Sequence, residues 1–415
     1  MSPNPDIPAP NDLAHHWALD PGAVHLNHGS FGACPSVVLE AQGRVRALME
    51  REAVSFFVRD LFEMSDLSRE ALAPVIGARP RDIAFVPNAT TGVANVINSI
   101  DLSAGDEILF ASVEYPACRA IVREACARSG AVPVEIRLPW PIRSEDQVFE
   151  TVLAGASDKT RLCLLSHITS GTAVVLPAAR IITALRERGI ETLLDGAHAP
   201  GMLDLDLSAM APAYATGNCH KWLCAPKGCA YLWVREDRQS SIRPVVHSVY
   251  ADVLDHAPWQ GPHGRTRFQT DFDYVGTDDY TARLALPDSI RFMQTVLPGG
   301  LAEVRARNNA LARTARDTLC AALGTEAPVP DSMLGSMSVA MLPEPSAAAG
   351  ERLSGRASLF GDPLQDELFE HDRIQVPVWL TPTGVRMVRL SAQLYNSPEQ
   401  YEYLAGALRH RLALA

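Results

Sequence analysis

The sequence predicts an α/β protein, with a mostly parallel sheet covered by helices on both faces and a smaller α+β unit after it. Three observations predict this. From about residue 80 to 235, short apolar runs alternate with segments of helical periodicity. One of those helical segments starts with Pro and ends with Gly, the usual order at helix ends. After about residue 280 the texture changes to two long helical segments, three short strands and a closing helix. We therefore expect an N-terminal segment over 1–30 packing with the smaller unit, a large domain over 31–279 and a small one over 280–415.

The expected strands of the large domain are "DIAFVP" (82–87), "DEILFAS" (106–112), "RLCLLS" (161–166), "ETLLDGA" (191–197) and "CAYLWV" (229–234). "PACRAIVREACARSG" (116–130) and "PAARIITALRERG" (177–189) carry helical periodicity. In the smaller unit we expect helices over 281–297 and 300–323, strands at "MSVAML", "IQVPVWL" and "VRMVRLSA", and a last helix from about 398. "PEPSAAAGERLSG" (343–355) reads as an exposed loop.

The chain has 415 residues, a formal net charge of −11 and 47% hydrophobic residues. An acidic surface is a poor match for nucleic acid or an anionic membrane. No apolar run reaches membrane-spanning length, and the start "MSPNPDIPAP" lacks the pattern of an export signal, so a cytoplasmic location is expected. The eight cysteines then read as reduced, mostly buried thiols. Cys219, Cys224 and Cys229 are spaced too widely for the usual zinc ligand pairs, and no metal site is expected.

Lysine is scarce. The chain holds 37 Lys plus Arg but only three lysines, Lys159, Lys221 and Lys227. Two of them lie in "ATGNCHKWLCAPKG" (215–228). Arginine cannot serve as a nucleophilic amine, so a retained lysine invites a chemical explanation. Lys227, between Pro226 and Gly228, reads as a turn residue.

Ligands of open α/β sheets bind beyond the carboxyl ends of the strands. After the first strand comes "NATTGVANVI" (88–97), where Asn88 can cap a helix whose first turn offers Thr90, Thr91 and free N–H groups to a phosphate. After "ETLL" comes "DGAHAPG", with Asp195 at the strand end and His198 three residues on. Each feature alone also reads as a helix cap or a structural histidine. Together they place a phosphate cradle, a carboxylate, an imidazole and an amine at separate strand ends. One cofactor uses all four. Pyridoxal 5'-phosphate needs a lysine for its Schiff base, an acid at the pyridine nitrogen, a donor near the ring hydroxyl and an anchored phosphate. Lys221 is the expected Schiff-base lysine.

The chain resembles the class V aminotransferase-fold enzymes (fold type I, pyridoxal phosphate), the isopenicillin N epimerase group in particular. The likeness is carried by "LNHGSFG" (26–32), "NATTGVAN" (88–95), "EYPAC" (114–118), "DGAHAPG" (195–201), "GNCHKW" (217–222), "VGTDDY" (275–280), "IQVPVW" (374–379) and "VRLSAQLYN" (388–396). The resemblance implies a homodimer with shared active sites. It implies that Tyr115 stacks on the cofactor ring, Asp195 pairs with the pyridine nitrogen and His198 bonds near the ring hydroxyl. Thr90, Thr91 and His220 would hold the phosphate, with Asn218 and Thr169 also at the cofactor and Thr277 contributed by the other subunit. Asn27 and Arg389 would hold the substrate carboxylate, with His28 close by. Arg389 by itself reads equally as a salt-bridged arginine.

Cysteine desulfurases of this fold need a cysteine before the last strands, and 353–379 contains none. Three reactions at Cα stay open. β-Elimination from an S-conjugated cysteine by a C–S lyase needs one base, which makes it the preferred reading. An epimerase needs a second proton donor, and a decarboxylating oxidative deaminase must turn the carboxylate and admit oxygen. The stretch 247–276, rich in His, Arg and aromatics, is expected to line the substrate entrance, with groups between Tyr250 and Tyr274 recognising the side chain.

Overall fold

The computed structural model describes residues 7–256, 264–359, 361–381 and 384–414. Its largest sheet has seven strands: β2 (Ile83–Val86), β3 (Glu107–Ala111), β4 (Val132–Ile136), β5 (Thr160–Ser166), β6 (Glu191–Asp195), β7 (Tyr214–Asn218) and β8 (Ala230–Val234). They lie in the order β2-β8-β7-β6-β5-β3-β4. Every neighbouring pair is parallel except those made by β8, which runs antiparallel to β7 and β2.

Side chains alternate between the faces of a strand, and here both faces are apolar. Ile108 and Phe110 join one buried cluster while Leu109 and Ala111 join the other. Leu162 and Leu164 against Cys163 and Leu165 repeat the pattern on β5. This is why the strands read as unbroken apolar runs. Each fully buried Leu, Ile or Val stabilises the sheet by about 1.5–3 kcal/mol relative to exposure.

The five expected strands form, and two further ones join them. β7 is built from Tyr-Ala-Thr-Gly-Asn, small and polar residues that read as a turn in isolation. It is fully buried between β6 and β8, so its neighbours supply the order its own composition does not. β4 carries Pro133 and sits at the sheet edge, where a missing N–H is tolerated.

The C-terminal part has a three-stranded antiparallel sheet of β9 (Met337–Met341), β11 (Val378–Leu380) and β12 (Arg386–Ser391), covered by the helices Gly300–Leu323 and Pro398–Leu412. The expected helix over 281–297 is two helices, Thr281–Leu284 and Leu286–Thr295. The expected loop at 343–355 is corrected to a helix, Ala347–Ser354, started by the Ser346 side chain accepting from the Ala349 N–H. A two-residue strand β1 (Val24–His25) pairs with β10 (Ile374–Gln375), so Val24 and Leu26 enter the C-terminal core. All eight cysteines are free and buried. Among the described residues no helix is long and apolar enough to cross a membrane.

Candidate active site

Four parallel strands end at one cavity. β2 leads into Asn88, β5 ends at Ser166, β6 at Asp195 and β7 at Asn218, and Ser166 and Asp195 are register partners. The cavity holds about 640 Å3 and is lined by Thr90, Tyr115, Asp195, His198, Lys221 and Arg389 among others. That volume suits a small-molecule site.

Lys221 follows β7 in a loop that Trp222 pins from below with 1% exposure. Burial pushes its amine down to about 7, Arg389 acts in the same direction, and Asp195 opposes them. Its Nζ lies 3.2 Å from His198 Nε2, while the Trp222 indole N–H approaches His198 Nδ1 at 3.4 Å. An indole N–H can only donate, so Nδ1 accepts and the imidazole proton belongs on Nε2. That proton faces Lys221 Nζ, which can accept it in its unprotonated form. Burial also keeps His198 neutral, holding its pKa well below the ordinary value.

Asp195 is buried, with Oδ1 accepting from the Ala197 N–H at 2.9 Å and Oδ2 from the Cys118 thiol at 3.6 Å. Burial pushes its carboxyl up, while the Ala197 N–H and the Lys221 charge act against that. Tyr115 stands at the start of the helix Pro116–Ser129, 42% exposed and facing the same cavity.

At the helix Ala89–Ser99, Asn88 Oδ1 accepts from the N–H and hydroxyl of Thr91, and Asn218 Oδ1 accepts from the Ala89 N–H. Asn218 thus fixes the helix start, and the Thr90 N–H is left open at a terminus suited to an anion. His220 binds the Cys229 carbonyl through Nδ1 at 3.0 Å and faces the cavity with its other edge.

Arg389 reaches the cavity through strand parity. Val388 and Leu390 pack into the C-terminal core, so Arg389 points the opposite way, toward the large sheet. Its Nη1 donates to the Ser170 carbonyl at 2.7 Å, and its Nη2 to Asn27 Oδ1 at 2.8 Å and Ser30 Oγ at 2.7 Å. Nε is buried without a partner, and no carboxylate pairs with this guanidinium among the described residues. Burial alone pushes it down to about 10. A buried cation lacking its anion is costly unless a ligand supplies one.

Several expected residues lie elsewhere. His28 lies behind the lysine loop, where Nδ1 meets the Tyr395 hydroxyl at 3.0 Å and Nε2 the Lys221 carbonyl at 2.9 Å. The Thr169 hydroxyl meets Thr172 at 2.7 Å and the Val174 N–H at 2.8 Å. Tyr250 and Tyr274 pack edge to face at 6.1 Å in an aromatic group with Phe62 and Phe57, off the cavity wall. Thr277 is exposed and away from its own chain's cavity. The expected entrance over 247–276 lies partly outside the described residues. Asn27 acts through Arg389. Ser30 was missed, although its place three residues after Asn27 at a helix start is a signal for a shared contact.

The segment 26–32 is pressed onto the lysine loop. Gly32 has φ +68°, and a Cβ there would lie 2.0 Å from the His220 carbonyl oxygen. Only glycine fits that approach.

Residues 35–343 match the family model for class V aminotransferases. The chain is 35% identical to an isopenicillin N epimerase of Amycolatopsis lactamdurans, the alignment covering 94% of this chain and 96% of that one. It is 27% identical to a probable chloroplastic L-cysteine desulfhydrase of Arabidopsis thaliana, covering 96% and 84%. Among solved structures, a cystine C–S lyase in complex with cysteine persulfide superposes with a TM-score of 0.73 at 22% identity, over 93% and 97% of the two chains. The chain belongs to the class V aminotransferase family. It is a pyridoxal phosphate enzyme with the fold type I architecture.

The residues present fit that cofactor. A buried amine of lowered pKa, a buried carboxylate without a bonded cation, an open helix N-terminus and a flat aromatic side chain line one cavity.

Proposed function

We propose that this enzyme is a C–S lyase that removes the Cα proton of an S-conjugated cysteine and expels the thiol from Cβ. The observation that carries the reading is Lys221, a buried amine of lowered pKa beside His198 and the one lysine lining a cavity that also holds an unpaired arginine. Elimination needs one base, and a base whose pKa lies near 7 suits proton transfer at neutral pH.

We assign the cofactor to Lys221, with Asp195 at the pyridine nitrogen, Tyr115 on the ring, His198 at the ring hydroxyl and Thr90, Thr91 and His220 around the phosphate. Bound there, pyridoxal phosphate supplies an electron sink for bonds at Cα. Arg389 keeps one unspent hydrogen on Nη1 for a substrate carboxylate, and a forked grip would use Nη1 and Nη2 once the substrate displaces Asn27 or Ser30 from Nη2. Asn27, Ser30 and the Ser170 carbonyl hold that guanidinium in place. With the cofactor carrying the substrate, Lys221 Nζ would be the base placed to take the Cα proton, and the His198 Nε2–H would serve the ring hydroxyl. The electron pair of the C–H bond forms the Cα–Cβ double bond as the C–S pair leaves with sulfur. With water, the products balance as pyruvate, ammonia and the thiol.

A second reading is supported by Tyr115, whose phenol lines the same cavity and could return a proton to Cα, together with the 35% identity to an isopenicillin N epimerase. Products in deuterated water separate the two. Elimination predicts pyruvate and free thiol from bulky S-conjugates of L-cysteine. Inverted, α-deuterated amino acid without pyruvate would replace the lyase with the epimerase, and release of carbon dioxide with oxygen uptake would remove both.

We also read the working unit as a homodimer with Thr277 completing the neighbour's site; its exposure away from its own cavity supports this. Mixing Lys221→Ala with Thr277→Ala chains should restore one intact site per heterodimer. Heterodimers that stay inactive would argue against sharing.

A further inference from the structure

Beside the catalytic cavity lies a second, smaller one of about 110 Å3. The two share Ser170 and Trp379 as walls, and Tyr115 and Ala117 face the larger while Pro116 faces the smaller. Two side chains lining the small cavity carry buried donors with no hydrogen-bond partner, Arg119 at Nε and Trp379 at Nε1. Buried polar groups are nearly always satisfied, so two orphans in one small cavity call for a shared acceptor.

The charge points the same way. The nearest carboxylate oxygen to Arg119 belongs to Glu135 at 3.9 Å, beyond hydrogen-bond reach, and Glu135 is itself bonded to Arg123. Glu114 also lines the cavity, but the Ser166 N–H and hydroxyl hold its carboxyl. Burial pushes Glu114 up to about 8, which leaves Arg119 with only the long ion pair to Glu135, a carboxylate shared with Arg123.

We propose that this side cavity is a substrate subsite in which Arg119 and the Trp379 indole N–H bind a second carboxylate, carried at the far end of the substrate's side chain. The substrate class is thus an amino acid whose Cβ substituent ends in an acid, read at one end by Arg389 and at the other by Arg119. This rests on the assignment of the α-carboxylate to Arg389 and holds for either reaction at Cα. A planar guanidinium and an adjacent indole N–H suit a carboxylate better than a neutral amide, which brings donors of its own.

The test uses the holoenzyme and two probes of equal size, S-(2-carboxyethyl)-L-cysteine and S-(2-carbamoylethyl)-L-cysteine. Binding is read from the change in cofactor absorbance, independently of product. The acid is expected to bind about tenfold more tightly than the amide. Arg119→Gln should bring that ratio close to one while leaving amide affinity unchanged, and Trp379→Phe should lower acid affinity severalfold. Equal affinities in the unaltered enzyme, or a ratio that survives Arg119→Gln, would overturn the subsite. If neither variant folds, a wild-type ratio below about threefold still overturns it. Absence of pyruvate from both probes with the binding ratio intact would count against elimination alone. Pyruvate from both with no preference would remove the subsite and keep elimination.

Discussion

Replacing Asp195 with Asn should lower turnover by about a thousandfold or more while the cofactor still loads, a loss of roughly 4 kcal/mol of transition-state stabilisation. The substitution keeps the shape. An Asn oxygen can still accept from the Ala197 N–H, and its amide can face the Cys118 sulfur that now donates to Oδ2. The negative charge is what disappears. Asp195 sits at the buried end of β6 in register with Ser166, facing the cavity. A charge-preserving environment around the cofactor nitrogen is what makes it an electron sink, so the chemical step should suffer and loading should not. The check is kcat measured beside the fraction of cofactor-bound protein. Near wild-type turnover in the Asn variant would remove Asp195 from the assigned role.

Arg389→Gln should cut kcat/KM by roughly 30- to 5,000-fold, corresponding to about 2–5 kcal/mol for a desolvated charge partner. Most of the loss should fall on KM, since the guanidinium grips a group that does not itself react. The fold should suffer less than the activity. Removing the side chain breaks its bonds to Ser170, Asn27 and Ser30, but it also removes a buried cation that has no carboxylate partner among the described residues. A melting temperature within a few degrees of wild type, with a large rise in KM, is the expected pair of results. An unchanged KM would show that the substrate carboxylate is held elsewhere.

The parts of this molecule that were legible in the sequence are those set by local pattern. Apolar runs announced β2, β3, β5, β6 and β8 because the sheet is buried on both faces. β7 showed only in its spacing, since "ATGN" falls where the next strand is due, while Tyr214–Asn218 owes its extended form to β6 and β8 on either side. The Ala347–Ser354 helix hid in a stretch whose proline and serine read as loop, although Ser346 is its cap. In the site, the scarcity of lysine singled out Lys221, and the strand-end positions of Asp195 and His198 followed from the fold class. What the sequence could not convey is where a side chain spends its hydrogen bonds. His28 and Thr169 sit in the right motifs, yet Tyr395, the Lys221 carbonyl, Thr172 and Val174 use up their polar atoms. Arg119 and Trp379 have the opposite property: their significance is the partner they lack. Neither kind of fact has a one-dimensional signature.

The central claim is that Lys221 is the amine on which this enzyme's chemistry is built. Borohydride reduction of the holoenzyme followed by proteolysis and peptide mass mapping tests it most directly, because reduction makes the amine–cofactor linkage permanent. Burial pushes Lys221 down to about 7, so a sizeable fraction is uncharged near neutral pH, and this makes it the expected reactive amine among Lys159, Lys221 and Lys227. The pyridoxyl group is expected on the peptide containing Lys221. Its recovery on the peptide of Lys159 or Lys227 would contradict the account.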